Sequence, residues 1–292
     1  MSEDDQDFSH DSGFKNLVLD FPKETIRWLL PGAEKVFGKL KEISFPLQEM
    51  KKQKLSDKGR RTDVAMLVTF ENGKALVPLI EHKDDKYTFS IYKLAHYALD
   101  LCEHFPGLPV IPIAVFTDQA KWQKDKEIQR EIKVNAFGMN WLFFTFAKVK
   151  LSDIPAALIA HSTNPVKHIL SPLMRYDKDK RLEVAADAYI NLSRLTDPSR
   201  FEKYTDYIDK CAKIDDAERR VLDTKVHGEE RVAMMKQYWY EQGQKDAEKK
   251  AEKNGLLKAA RSMLAGGMDL PTILFHTGLS ADDLKPDAPT SA

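Results

Sequence analysis

Two short apolar runs joined by a glycine turn dominate the hydrophobic pattern in the first half of the chain. The runs cover 63–70 and 75–83, and Asn72 and Gly73 lie between them. Such a pattern predicts a β-hairpin. Both faces of the hairpin are apolar, which is typical of strands buried inside an α/β sandwich. Pro78 conflicts with this prediction, because proline cannot donate to a ladder and prefers sheet edges.

Helical and strand patterns alternate through the rest of the first 150 residues. In chain order they predict a helix at 17–30, a weak strand at 43–47, the hairpin, a helix at 88–105, a strand at 110–116, an exposed charged helix at 121–133 and a buried strand at 141–149. The hairpin, helix and following strand form a strand–helix–strand unit. We therefore expect the second hairpin strand and the strand at 110–116 to be parallel.

Beyond residue 150 the pattern is helical. Amphipathic helices are predicted at 181–195, 201–214 and 217–242, with Gly228 as a candidate break and a charge run at 245–254. The whole pattern predicts an α/β fold, in which a mixed sheet flanked by helices is followed by an all-helical C-terminal region. The predicted parts are a core at 10–150, a helical region at 151–244 and a charged helical tail at 245–292.

The end of the tail supports two interpretations. A helix at 256–264, a second helix capped by Asp269 and a third capped by Ser280 suggest a DNA-binding helix-turn-helix. The third helix is short, however, and it opens with Asp282 and Asp283, which DNA phosphates would repel. We therefore favour docking or self-association, with a homo-oligomer formed through the helical C-terminal region.

Composition narrows the class of protein. Lys plus Arg and Asp plus Glu both number 45, so any affinity for DNA must come from local basic patches. The two cysteines, Cys102 and Cys211, lie far apart, which argues for a reducing compartment and against structural zinc. Residues 1–10 are predicted to form a disordered leader without signal-peptide character. No apolar stretch is long enough for a membrane span, so we expect a cytoplasmic protein.

The end of the second hairpin strand carries the candidate chemistry. Glu81-His82-Lys83 is one of seven carboxylate–any residue–lysine triplets in the chain, and it alone ends a hairpin strand. A two-residue turn would place Asp63, at the start of the first strand, opposite His82. A three-residue turn with Gly73 left-handed would place Asp63 opposite Glu81. We predict the second arrangement, which brings the two carboxylates together.

Paired carboxylates of this kind suit a divalent cation. Mg²⁺ binds one or two carboxylates, and it lowers the barrier to phosphodiester hydrolysis by polarising the phosphate. We expect Asp63, Glu81 and the backbone carbonyl of His82 to bind Mg²⁺ or Mn²⁺. Lys83 points to the same face of the strand as Glu81. Its ammonium group would orient the attacking water and offset charge on the phosphorus.

An ordered series of motifs resembles the recombination-promoting nuclease (Rpn) family, also called the YhgA-like transposase family. The motifs are His10-Asp11-Ser12-Gly13-Phe14-Lys15, Arg61-Thr62-Asp63, Leu79-Ile80-Glu81-His82, Tyr92-Lys93-Leu94-Ala95-His96-Tyr97, Pro109 to Phe116 with Trp122 following, and, weakly, Thr277-Gly278-Leu279-Ser280. The resemblance implies a PD-(D/E)XK-type core of order αβββαβ that cleaves DNA with Mg²⁺ and promotes recombination. The family often has glutamine where this chain has Lys83, and lysine is closer to the general pattern of the superfamily.

Candidate DNA contacts follow from the same segments. The resemblance implies roles for Lys93 and Tyr97, which lie one helical turn apart and share a face. Lys15, Arg60 and Arg61 are candidates for phosphate contact, although each also fits an ordinary surface charge. Two alternatives to catalysis stay open: a non-catalytic DNA-binding or protein-interaction module that keeps the nuclease fold, and a transcriptional regulator acting through the tail.

Overall fold

The computed structural model describes residues 10–46, 64–122, 128–226 and 228–280. The chain divides into two compact units, Met1–Val232 and Ala233–Ala292, which are described separately. The predicted boundaries after residues 150 and 244 stay predictions. In the part of the chain that the structure describes, no helix is long and apolar enough to cross a membrane.

The first unit is built on a mixed β-sheet. Its strands are β1 (Leu40–Ser44), β2 (Val64–Ala65), β3 (Leu67–Phe70), β4 (Ala75–Lys83), β5 (Val110–Phe116) and β8 (Ala147–Lys150). The order is β1-β3-β4-β5-β8, and β2 also pairs with β4. Strands β1 to β4 pair antiparallel, whereas β4, β5 and β8 are parallel. The predicted α/β class, the mixed sheet and the parallel pairing of β4 with β5 are confirmed.

The helices of the first unit and of the tail follow the predicted order. Their bounds are α1 (His10–Asp20), α2 (Pro22–Leu29), α3 (Ala33–Phe37), α4 (Ile91–His104), α5 (Pro165–Ile169), α6 (Arg181–Leu195), α7 (Pro198–Ala212), α8 (Asp216–Val226), α9 (Glu230–Ala265) and α10 (Leu270–Thr277). The helix predicted at 17–30 is two helices. Pro22 starts the second, because proline lacks the N–H that a continuing helix would need but is tolerated in a first turn.

The hairpin turn has the predicted length and geometry. Val68 pairs with Leu76, and Val64 pairs with Ile80, so three residues form the loop. Gly73 has a φ of 79°, in the left-handed region that glycine adopts without strain. The three-residue turn is therefore confirmed.

The described ladder stops one residue short of the predicted carboxylate pair. Asp63 lies outside the described residues, so its pairing with Glu81 stays a prediction. The two-residue alternative would pair Val64 with Glu81, and it is wrong because Val64 pairs with Ile80.

The conflict at Pro78 is resolved by a one-residue interruption of the ladder. Met66 separates β2 from β3 and donates its backbone N–H to the carbonyl of Pro78 at 3.1 Å. In an antiparallel pair the N–H and C=O of one residue point to the same neighbour. The missing N–H of Pro78 therefore faces Met66, and the strand assignment breaks there. An interior proline is accommodated without moving β4 to the edge of the sheet.

Helices cover both faces of β4. Val77 and Leu79 pack in a buried cluster with α4, including Leu94, on one face. On the other face Phe14 of α1 stacks on His82. Because side chains alternate along a strand, Glu81 and Lys83 share the α4 face.

Two predictions between residues 121 and 150 are wrong. The segment predicted as a charged helix contains strand β6 (Glu131–Ala136), while residues 123–127 lie outside the described part. The strand predicted at 141–149 is two strands, because β7 (Met139–Thr145) pairs with β6 in a separate sheet and β8 joins the main sheet. In β6 the exposed residues Glu131 and Lys133 flank the buried Ile132. The charged residues at the end of the predicted helix therefore lie on the exposed face of a strand.

The helical predictions for the second half are confirmed, including the break near Gly228 between α8 and α9. Between α6, α7 and α8, the hydroxyl of Tyr189 donates to Asp209, which also forms an ion pair with Arg219. In the tail, Asp269 caps α10 by accepting from the Thr272 N–H, as predicted. The helix predicted after Ser280 lies outside the described residues.

Candidate active site

The predicted catalytic triplet lies at the C-terminal end of β4, inside the sheet. Glu81, His82 and Lys83 pair with the last three residues of β5 on one side, and on the other side the described pairing with β2 ends at Ile80. The α4 face carries Glu81 and Lys83, and the α1 face carries His82. The two faces of this strand end therefore carry different groups of side chains.

The Glu81 carboxylate is buried and only half partnered. Its residue exposure is 3%, and its Oε1 atom lies 2.9 Å from the Lys83 Nζ and 3.9 Å from the Lys93 Nζ. Its Oε2 atom is buried without a hydrogen-bond partner in the described part of the chain. A buried carboxylate oxygen without a hydrogen-bond partner is costly. A ligand that bound this Oε2 atom would therefore remove that cost.

On the opposite face, His82 is held from three sides. Its Nδ1 lies 3.1 Å from the Asp11 Oδ1, its Nε2 lies 3.0 Å from the Thr117 Oγ1, and Phe14 stacks on the ring at 4.6 Å. The hydrogen bond from His82 is the largest cause that lowers the pKa of Asp11 from its usual 3.8, and the charges of His82, Lys83 and Lys15 add to it. The motif at the start of α1 thus positions His82.

Replacing Asp11 by asparagine tests this contact through its pH dependence. We expect Asp11→Asn to lower the free energy of unfolding near neutral pH. The difference from the parent chain should disappear as the pH falls below about 4, because a carboxylate with a depressed pKa stabilises the fold only while ionised. Urea unfolding curves across this range measure the difference. In a His82→Gln background the pH-dependent difference should be absent, and its persistence there would contradict the assignment.

The backbone carbonyl of His82 can be oriented from its neighbours. The carbonyl of Pro78 accepts from Met66 on the antiparallel side of β4, whereas the carbonyl of Lys83 accepts from Thr117 on the β5 side. Successive residues of a strand direct their carbonyls to opposite neighbours. The carbonyl of His82 therefore points to the side of β2. This direction is compatible with its predicted role as a ligand.

The predicted DNA contacts fall into three groups. Lys93 is half exposed beside Glu81, and its Nζ lies 5.4 Å from the ring centre of Tyr97. Tyr97 itself is buried in the cluster between α4 and the sheet. Lys15 is partly exposed one turn after Asp11. Arg60 and Arg61 lie outside the described residues, as Asp63 does.

Sequence reasoning did not identify several polar residues at the same sheet edge. They are Thr117 and Asp118 after β5, and Lys148 and Lys150 on β8. The buried Lys150 ammonium donates to the Ala120 carbonyl at 2.7 Å and lies 3.7 Å from Asp118. The Lys-x-Lys spacing in a strand was the available signal, because it places both lysines on one face.

A divalent cation fits the donor chemistry of Glu81, whose unpartnered Oε2 is the hard oxygen that Mg²⁺ prefers. Within 10–46, 64–122, 128–226 and 228–280, no three His, Cys, Asp or Glu side chains form a group that could hold a metal ion. The predicted second carboxylate, Asp63, lies outside these ranges. Mg²⁺ binding stays a prediction.

Comparison with known proteins identifies the tail. Residues 253–286 match a family model described as the C-terminal HTH domain of the Rpn/YhgA-like nuclease family. No curated protein and no solved structure matches the chain. The match favours the helix-turn-helix interpretation of the tail over the docking interpretation preferred above, and it suggests DNA binding. It also supports, through the tail of the chain, the Rpn family that the N-terminal motifs resemble.

Proposed function

We propose that this chain is a Mg²⁺-dependent DNA endonuclease with a PD-(D/E)XK-type core, which hydrolyses phosphodiester bonds and promotes recombination or transposition-related DNA breakage. The observation that carries the proposal is the buried Glu81 carboxylate, which has one oxygen beside Lys83 and the other without a partner in the described part. The tail match to a nuclease family supports it independently.

Each side chain of the proposed site has its own role. Glu81, Asp63 and the His82 carbonyl would hold Mg²⁺ (or Mn²⁺), which when bound would act as a Lewis acid on the scissile phosphate. The Lys83 ammonium, 2.9 Å from Glu81, would orient the attacking water and balance the charge that develops on the phosphate. Asp11 and Thr117 hold His82, and therefore the end of β4, in a fixed position.

The test is nicking of supercoiled plasmid by the purified full-length chain. We expect nicking to appear with Mg²⁺ or Mn²⁺, to stop when EDTA is added, and to return when excess metal is restored. The rate should saturate with metal concentration, because the metal occupies a defined site. Cleavage that is unchanged in EDTA, or no cleavage with either metal by well-folded protein, would reject the proposal.

A second candidate function is a non-catalytic DNA-binding module. The observation that favours it is the Lys83–Glu81 ion pair, which already balances part of the carboxylate charge, together with a tail that matches an HTH domain. Such a module would bind DNA but would not nick it when metal is added. If deletion of 253–292 abolished binding while β4 variants bound normally, a regulator acting through the tail would be favoured. A cytoplasmic location and a homo-oligomer formed through the C-terminal helices belong to either proposal.

A further inference from the structure

The Glu81 site extends sideways along one edge of the sheet. Strands β4, β5 and β8 are parallel, so their carboxyl ends meet at the same edge. Glu81 pairs with Ala114, which pairs with Lys148, so the three residues form one row across the α4 face. Two strand spacings separate the ends of this row, or about 10 Å. The end of β8, which carries Lys148, therefore lies two strands from the Glu81 carboxylate, on the same face of the sheet.

The Trp122 ring contacts two of the lysines at this edge of the sheet. Its ring packs edge-on against Phe116 at 4.9 Å, and its Nε1 donates to the Asp118 carboxylate at 2.9 Å. The ammonium groups of Lys148 and Lys150 lie 5.2 and 4.8 Å from its ring centre. Cation–π contacts at these distances are favourable and hold the charges in place. The lysines are therefore positioned before any ligand arrives.

A cleft of about 780 Å³ opens between this edge and the segment that leads into α6. Its charged lining residues are Lys121, Lys148, Lys150, Asp153, Arg175, Lys178 and Arg181. Six cations thus face one carboxylate, in a chain whose net charge is zero. Such a local patch is the feature by which a neutral protein attracts an anionic polymer.

Not all of these cations are equally available. Arg181 forms an ion pair with Glu218, Lys148 lies 4.0 Å from the Asp153 carboxylate, and Lys150 is buried by its bonds to backbone and side-chain oxygens. For Lys121, Arg175 and Lys178, no carboxylate of the described residues lies within ion-pair distance. A smaller cavity that shares Trp122 and Lys121 is lined by three carboxylates, Asp84, Asp85 and Asp118, and by two lysines, so it is less favourable for a phosphate. A phosphate group would therefore enter the larger cleft.

We propose that this cleft, defined by Trp122, Lys121, Lys148, Arg175 and Lys178, binds the sugar–phosphate backbone of the DNA strand whose scissile phosphate lies at Glu81. The inference rests on the proposed function, because it supplies the flanking contacts of that site. A separation of about 10 Å corresponds to roughly three nucleotides at a rise of about 3.4 Å per nucleotide. Ammonium and guanidinium groups are the usual partners of such phosphates.

The test measures binding without cleavage. Fluorescence anisotropy of labelled single-stranded and duplex oligonucleotides is followed in EDTA, with the full chain, across a salt series. In the triple variant Lys121→Gln, Arg175→Gln, Lys178→Gln, we expect affinity to fall at least tenfold at low salt. The slope of log affinity against log salt should become shallower by about 2 to 3, because three phosphate contacts of roughly 0.7 to 0.9 each are lost. If the affinity for the single-stranded oligonucleotide changes more than the affinity for the duplex, the cleft binds single-stranded DNA. The reverse result indicates that it binds duplex DNA.

A matched variant controls for total charge. Lys35→Gln, Lys41→Gln, Lys74→Gln removes three exposed cations of the same unit, including one at the turn that begins β4, and it should leave affinity and slope unchanged. Equal effects of the two triple variants would overturn the cleft assignment, and so would no effect of the first.

Failure of this inference is distinguishable from failure of the proposed function. If the parent chain never nicks but binding still depends on the cleft, the nuclease proposal fails and the cleft stands. If nicking depends on metal while the cleft variant retains the parent KM, the nuclease stands and the cleft fails. A raised KM with unchanged kcat supports both.

Discussion

Glu81→Gln should lower metal-dependent nicking by about two to three orders of magnitude, the loss typical when one preorganised electrostatic group is removed from an active site. The substitution keeps the shape of the side chain and removes its charge. The neutral amide is a weaker ligand for a hard cation than a carboxylate. It also leaves Lys83 without the carboxylate that lies 2.9 Å from its ammonium. Initial nicking rates at saturating metal measure the effect.

Two controls separate lost chemistry from lost structure. Glu103→Gln makes the same substitution at an exposed position of α4 and should nick at the parent rate. Thermal unfolding of the Glu81→Gln chain should show a cooperative transition close to that of the parent. Nicking by Glu81→Gln at more than about a tenth of the parent rate would remove Glu81 from the proposed catalytic role.

Leu79→Ala should produce the largest loss of stability among these changes, about 3 kcal/mol, within the range measured for leucine-to-alanine substitutions in cores. Leu79 is fully buried in the cluster between β4 and α4. Truncation removes its packing and leaves a cavity, because strands on both sides fix the backbone and prevent collapse. For a unit of this size, a midpoint fall of roughly 6 to 12 °C is expected.

The matched change is Leu99→Ala, in which leucine of α4 is 63% exposed. It should alter the free energy of unfolding by less than about 0.5 kcal/mol. Calorimetry of both variants beside the parent chain makes the comparison. If Leu79→Ala unfolds with the parent midpoint, then β4 is not the centre of the folded core, and the geometry inferred for the strand end loses its basis.

The hairpin register was predictable because it depends on local features. A period of two along each strand and a glycine at the turn limited the hairpin to two registers, and the expected pairing of the carboxylates selected the one in which Val64 pairs with Ile80. The place of Pro78 in the sheet was not predictable, because the interruption at Met66 is a property of the partner strand. The contact of His82 with Asp11 joins residues 71 positions apart, and no periodic pattern carries information over that distance.

Local reasoning also failed where two environments give the same sequence pattern. The charge density of 121–133 suggested a surface helix, whereas Glu131 and Lys133 lie on the exposed face of strand β6. Trp122 was noted only as part of a family motif. Its role at the cleft arises from packing against Phe116 and from lysines on β8, which depend on the sheet order. Sheet order is set by long-range pairing and cannot be derived from the spacing of apolar residues.

The Lys83–Glu81 ion pair has an evolutionary consequence. Because a lysine of the same strand already pairs with one oxygen of this carboxylate, part of its charge is balanced before any ion is bound. Under the nuclease proposal, a lineage carrying this strand could therefore lose cleavage by drift and persist as a DNA-binding protein with the same fold.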